Sequence, residues 1–160
     1  MLRILTDDEV IAKYGDISKF MGSDALPTSS WSMSILDTFE LPKPLNVSGG
    51  SVAKRISCHK LVRPELESVF KNIAKYPAAW GSIDDYGGCY NFRRNKNNPR
   101  VLSRHSWAIA IDLDVADNPN GSKGNMHPLV IQAFYDAGWI WGGWFQHGID
   151  PMHFERGVSL

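Results

Sequence analysis

A chain of 160 residues, 43% of them hydrophobic, falls in the size range of one domain and can bury a core without disulfide or metal staples. Seventeen basic residues balance seventeen acidic ones, so no overall field is available to hold nucleic acid or an anionic membrane by charge alone. No apolar run approaches membrane-spanning length, and acidic residues interrupt the N-terminal stretch before a signal peptide could form, so the expectation is a soluble protein made in the cytoplasm. Cys58 and Cys89 are too few for a disulfide framework and too far apart for a compact redox or zinc-knuckle pair, and they read as free thiols.

In chain order, Thr6-Asp-Asp-Glu9 fits a capping box and predicts a helix over Asp7 to Tyr14, ended by Gly15. Residues 18–50 mix Ser, Pro and Gly with scattered aromatics and read as a long segment wrapping the core. Arg55 to Val62 has short-strand character. Pro64 then suits a first helical turn, and Leu66, Val69, Phe70 and Ile73 give one apolar face to a helix that stops near Tyr76, before Pro77. A strand around Gly88 to Arg93 is expected to run into an Asn-rich loop that ends near Pro99.

The stretch Ser103-Arg-His-Ser-Trp-Ala-Ile-Ala-Ile-Asp-Leu-Asp-Val115 alternates. Ile109, Ile111, Leu113 and Val115 project to one side of a strand, while Ala108, Ala110, Asp112 and Asp114 project to the other. After a turn-rich loop, Pro128 opens a helix through Leu129, Ile131, Phe134 and Tyr135 toward Gly138, and the tail reads as two short strands around a loop. The expectation is one α+β domain over residues 1–160, with a small antiparallel sheet, flanking helices beginning near Pro64 and Pro128, and residues 1–50 as a helical or loop extension wrapping the core.

A carboxylate inside an apolar strand costs several kcal/mol unless something compensates its charge. His105 stands just ahead of that strand and Asp112 lies on its small-residue face, while Asp150 and His153 bracket Pro151 and Met152 near the end of the chain. Two His and one Asp supply three nitrogen or oxygen ligands to zinc and leave a fourth position for water, with Asp150 free to take a proton. The plainer reading of any single His here is a hydrogen-bonded core or surface residue, and the case rests on the combination.

That combination, Ser103-Arg-His105 with Ala110-Ile-Asp112 and then Asp150-Pro-Met-His153-Phe-Glu155 after a Trp-Gly-Gly-Trp stretch, resembles the zinc D,D-carboxypeptidase and L-alanyl-D-glutamate peptidase family, peptidase family M15, which includes VanY-like carboxypeptidases and many phage endolysins. The similarity runs from about Arg55 to Arg156. It implies a Hedgehog/D,D-peptidase-like fold, one Zn2+ per chain on His105, Asp112 and His153, Asp150 as acid/base, and Arg93 on the carbonyl and oxyanion of the substrate. It also implies that Ser103 supports the site from outside the ligand set. Arg94 is the rival of Arg93, and strand alternation sends the two to opposite faces. Two departures stand out: Ala108 replaces the usual Gly, and Gly142-Gly143-Trp144-Phe145 lacks the Asp that relatives place between Gly and Trp.

The resemblance implies a monomeric zinc peptidase that cuts peptidoglycan stem peptides, at D-Ala-D-Ala or between L-Ala and D-Glu, with no nucleic-acid or membrane partner. A phage or prophage endolysin acting on the wall after release suits that reading, and the competing class is a non-catalytic zinc-containing module that grips wall peptide. Glu155 shares the strand phase of His153 and is a candidate acceptor behind it. Asp114 competes with Asp112, and His147 lines the cleft or is a loop residue. His127 and His59 have no partnered carboxylate at useful spacing. Trp139, Trp141 and Trp144 either stack on ligand or fill core.

Overall fold

A computed structural model describes residues 1–160 as a mixed α+β chain with two antiparallel sheets. The order is β1 (Leu2–Ile4), α1 (Asp7–Tyr14), α2 (Ser29–Ile35), β2 (Leu36–Val47), β3 (Ser51–His59), α3 (Arg63–Ile73), α4 (Pro77–Gly81), β4 (Tyr86–Gly88), β5 (Ala110–Leu113), α5 (Pro128–Asp136), β6 (Trp139–Trp141) and β7 (His153–Ser159). Short 3₁₀ turns at Ile17–Phe20, Arg104–Trp107 and Gly142–Trp144 join them. No helix is long and apolar enough to cross a membrane.

The larger sheet runs β1-β7-β5-β4, with β6 also paired to β7, so β7 is its hub. Its two faces divide by the period-2 alternation of strands. Ile111, Leu113 and Phe154 point toward the helices and are fully buried. There Phe154 stacks on Phe134 of α5 with ring centroids 4.1 Å apart, and Phe134 also meets Trp139 and Phe70 edge-on. Helix α3 closes this layer with Leu66, Val69, Phe70 and Ile73, the apolar stripe its spacing predicts. Ala110, Asp112, His153 and Glu155 lie on the opposite face.

Helix α1 forms as its capping box dictates: Thr6 Oγ1 accepts from the Glu9 amide at 3.3 Å, and Glu9 Oε2 accepts from the Thr6 amide at 2.8 Å. Gly15, at φ 103°, ends it. Residues 18–50 depart from the expectation of a wrapping loop. They carry α2 and the long strand β2, which pairs with β3 in a two-stranded ribbon. Pro42 and Pro44 masked that strand in the sequence. They fall where the β2–β3 register shifts between Glu40 and Leu45, so their missing amides break no ladder bond there. The ribbon also moves the strand expected at Arg55 to Val62 back to Ser51–His59, and Pro77 opens α4 directly after the α3 exit.

The strand expected over Gly88 to Arg93 is in fact β4, Tyr86–Gly88. Beyond it the chain is irregular because its polar groups turn to the Arg104–Trp107 turn. The Asn91 amide donates to the His105 carbonyl at 3.0 Å, and the Arg93 carbonyl accepts from the Ser103 amide at 2.9 Å and the Ser106 hydroxyl at 3.1 Å. β5 is likewise shorter than the alternation suggests. Asp114 leaves it in a left-handed conformation, φ 52°.

Because Phe134 sits at the junction of α3, α5 and β7, Phe134→Ala is expected to cost about 3–5 kcal/mol. The check is a urea unfolding curve, with the midpoint falling at an unchanged slope.

Candidate metal centre

Asp112 and His153 are direct partners across the antiparallel β5–β7 ladder, and Ala110 is the partner of Glu155. Side chains opposite one another on one face stand about 5 Å apart at Cβ, so register alone brings the carboxylate of Asp112 to the imidazole of His153. The Asp112 Oδ1 to His153 Nδ1 distance is 3.0 Å. His105 arrives from the 3₁₀ turn before β5. Ser103 caps this turn, its hydroxyl accepting from the His105 amide at 3.4 Å. Ala108 closes the turn in the left-handed region, φ 54° and ψ 36°, a conformation that glycine adopts at less cost. His105 Nε2 lies 3.1 Å from Asp112 Oδ1 and 3.3 Å from His153 Nδ1.

The far side of each ring fixes its tautomer. His105 Nδ1 is 2.8 Å from the Cys89 carbonyl, which can only accept, so Nδ1 carries the proton and Nε2 presents a lone pair. His153 Nε2 is 3.0 Å from Glu155 Oε2, which places its proton there and leaves Nδ1 unprotonated in the neutral ring. Two nitrogen lone pairs and a carboxylate oxygen therefore converge, all nearly buried, with His105 2% and His153 7% exposed. Only a positive charge makes that arrangement tolerable. Burial by itself raises the Asp112 pKa, yet the two imidazoles hold it well below the usual carboxylate range. Burial likewise lowers that of His153, yet Asp112 and Glu155 push it up to about 10. A proton on one ring leaves the other lone pair facing acceptors, whereas a divalent cation meets all three. A tetrahedral zinc ion with bonds of about 2.0–2.1 Å spaces its ligands about 3.3 Å apart, close to the separations here.

A cleft of about 50 Å³ opens beside His153, walled by Arg93, Ser103, Phe145, Asp150 and Glu155. Asp150 Oδ1 is buried there without a hydrogen-bond partner, the position of a group awaiting a proton or a ligand. The Asp150 turn is pinned from several sides. Its carbonyl accepts from the His153 amide at 3.0 Å, its amide donates to the Gly142 carbonyl at 3.1 Å, and a Cβ on Gly142 would collide with the Asp150 carbonyl. The Trp141 indole donates to the Pro151 carbonyl at 2.6 Å. Arg93 reaches the cleft and Arg94 does not. Because the segment is no regular strand, this outcome comes from the docking of the Arg93 backbone on Ser103 and Ser106 and not from strand alternation.

The remaining candidates have structural explanations. Asp114 accepts from the Asp84 amide and the Asn118 side chain, so it locks a turn and is not part of the His105 cluster. His127 caps α5 and His59 packs edge-on against Tyr14. Trp139 is core, while Trp144, half exposed, lines with His147 a larger groove of about 920 Å³ that adjoins the cleft. Cys58 and Cys89 are free and buried.

Sequence spacing understated Glu155, which the ladder register and the small Ala110 place behind His153. It contained no signal for Arg104, whose partners lie about a hundred residues away.

Residues 96–156, the segment holding His105, Asp112, Asp150 and His153, match the family model described as D-alanyl-D-alanine carboxypeptidase. No curated protein and no solved structure matches the chain. The family match supports a peptidase of the M15 class.

Proposed function

We propose that this chain is a zinc-dependent peptidase that hydrolyses a peptide bond of peptidoglycan stem peptides, on a Hedgehog/D,D-peptidase-like frame. The observation that carries the reading is the convergence of three potential ligand atoms, on His105, Asp112 and His153, beside a cleft where Asp150 Oδ1 is buried without a hydrogen-bond partner. A structural zinc site is closed by four protein ligands, whereas three ligands with an open side suit catalysis. The family match over the same segment points to the same substrate class.

Zinc held by those three side chains supplies a Lewis acid that makes water nucleophilic at neutral pH. The rest of the chemistry falls to the chain. Asp150 receives the proton of the attacking water and returns it to the departing amine. Arg93, on the same wall, stabilises the negative charge that gathers on the carbonyl oxygen. Glu155 and the Cys89 carbonyl hold the two imidazoles in the tautomers that present lone pairs inward. Ser103 fixes the turn that carries His105.

Three outcomes are expected. Zinc binds one per chain and stabilises the fold by about 4 kcal/mol when free metal is a thousand times Kd, and this gain disappears in His105→Ala and His153→Ala; a thermal shift with elemental analysis reads it. Asp150→Asn keeps its zinc and loses turnover by roughly 10²–10⁴-fold, measured by mass spectrometry of fragments from digested cell wall, whose new termini also identify the bond. Arg93→Ala lowers kcat by about 10²–10³-fold at full metal content, and Arg94→Ala leaves it near the starting value.

A further inference from the structure

The turn that carries His105 is gripped at both ends by the first fifteen residues. At one end Arg104, whose side chain is 13% exposed, donates from Nη1 to Asp7 Oδ1 and from Nη2 to the Leu5 carbonyl, each at 2.7 Å. At the other, the Trp107 indole donates to the Gly15 carbonyl at 2.7 Å. Asp7 itself is set by the capping box of α1, and Glu9 of that box pairs with Arg3 of β1 at 2.6 Å. β1 in turn pairs with β7, Ile4 facing Gly157 two residues past Glu155.

Arg104 has a third neighbour. Its Nε lies 4.0 Å from Glu155 Oε1, an ion-pair distance, while the other oxygen of Glu155 meets His153 Nε2 at 3.0 Å. Glu155 is 8% exposed, and no other cation forms an ion pair with its carboxylate except His153 itself. An arginine that served only to fasten the N-terminal segment would need Asp7 and Leu5 and no more. This one spans from that segment to the carboxylate behind a metal-site histidine.

We propose that residues 5–15 are a working part of the metal centre and that Arg104 is its positioning residue: clamped by Asp7 and Leu5, it holds Glu155 in the rotamer that orients His153. The inference rests on the reading of the triad as a zinc site. Charge and hydrogen-bond partners around a ligating histidine govern metal affinity by about 10–100-fold, although they touch no metal. If Arg104 acts through Glu155, the two are one unit and their losses do not add.

The test uses the full chain, with zinc affinity measured by competition against a chromophoric chelator and the stability of the metal-free protein measured separately by urea. Arg104→Met and Glu155→Gln are each expected to weaken zinc about 10–100-fold. The double variant should be no weaker than the poorer single, and Arg104→Lys should recover part of the loss. Asp7→Asn, a near-isosteric change at a half-exposed site, is expected to weaken zinc several-fold and stands in should Arg104→Met fail to fold. Unchanged affinity in Arg104→Met or Asp7→Asn, even with lowered stability of the metal-free chain, overturns the proposal, as do losses in Arg104→Met and Glu155→Gln that simply add. A wild-type chain that binds no zinc fails at the earlier step and takes the metal reading with it, which distinguishes the two failures.

Discussion

Two imidazole lone pairs and a carboxylate oxygen aimed at one another inside a protein repel, and this repulsion is the constraint that organises the molecule. It is offset by positive charge among them: a proton on His153, whose pKa Asp112 and Glu155 push up to about 10, relieves part of it, and a cation that meets all three atoms would relieve the whole. The surrounding structure exists to keep those atoms from escaping. A main-chain carbonyl behind His105 and a carboxylate behind His153 prevent either ring from rotating its proton inward. Burial removes the water that would otherwise screen the conflict.

The sheet separates stability from chemistry by strand alternation. On one face Ile111, Leu113 and Phe154 pack under α3 and α5, and the stacked pair Phe134–Phe154 ties helix to strand. On the other, the residues that alternate with these are Ala110, Asp112, His153 and Glu155. A slip of one residue between β5 and β7 would exchange the faces, burying the charges among the aromatics. The packing of Phe154 therefore also fixes where His153 points. Ala110 has a different part: its small side chain leaves the space across the ladder into which Glu155 extends.

Where local pattern governs, the sequence could be read directly. The capping box at Thr6 and Glu9, the stripe of α3 and the Pro128 helix start are decided by neighbours a few residues apart, and each formed where the pattern places it, whereas the alternation expected through Val115 holds only over Ala110–Leu113. The three residues of the triad could be picked out because a charge in an apolar strand demands a partner and because the two motifs that carry them resemble a known peptidase family, whose spacing selects Asp112 over Asp114. The ribbon of β2 and β3 was hidden by prolines that are harmless only because of a register shift, which is a property of the pair and not of either strand. Arg93 came to the cleft by a different route from the one its neighbours suggest, through its backbone contacts to Ser103 and Ser106. Arg104 was invisible for a more general reason: an arginine's role is set by what it meets, and here its partners are 97 and 99 residues away.

That separation bears on when the centre comes into being. β7 supplies His153 and Glu155, and it is also the strand to which β1, β5 and β6 all attach. A chain still emerging from the ribosome has His105 and Asp112 but neither His153 nor the hub strand against which the first residues pair. Joining such remote segments is entropically the slowest part of assembly. The three side chains of the triad therefore stand together only after β7 has joined β5, so a metal ion that needs all three would find its complete donor set late in folding.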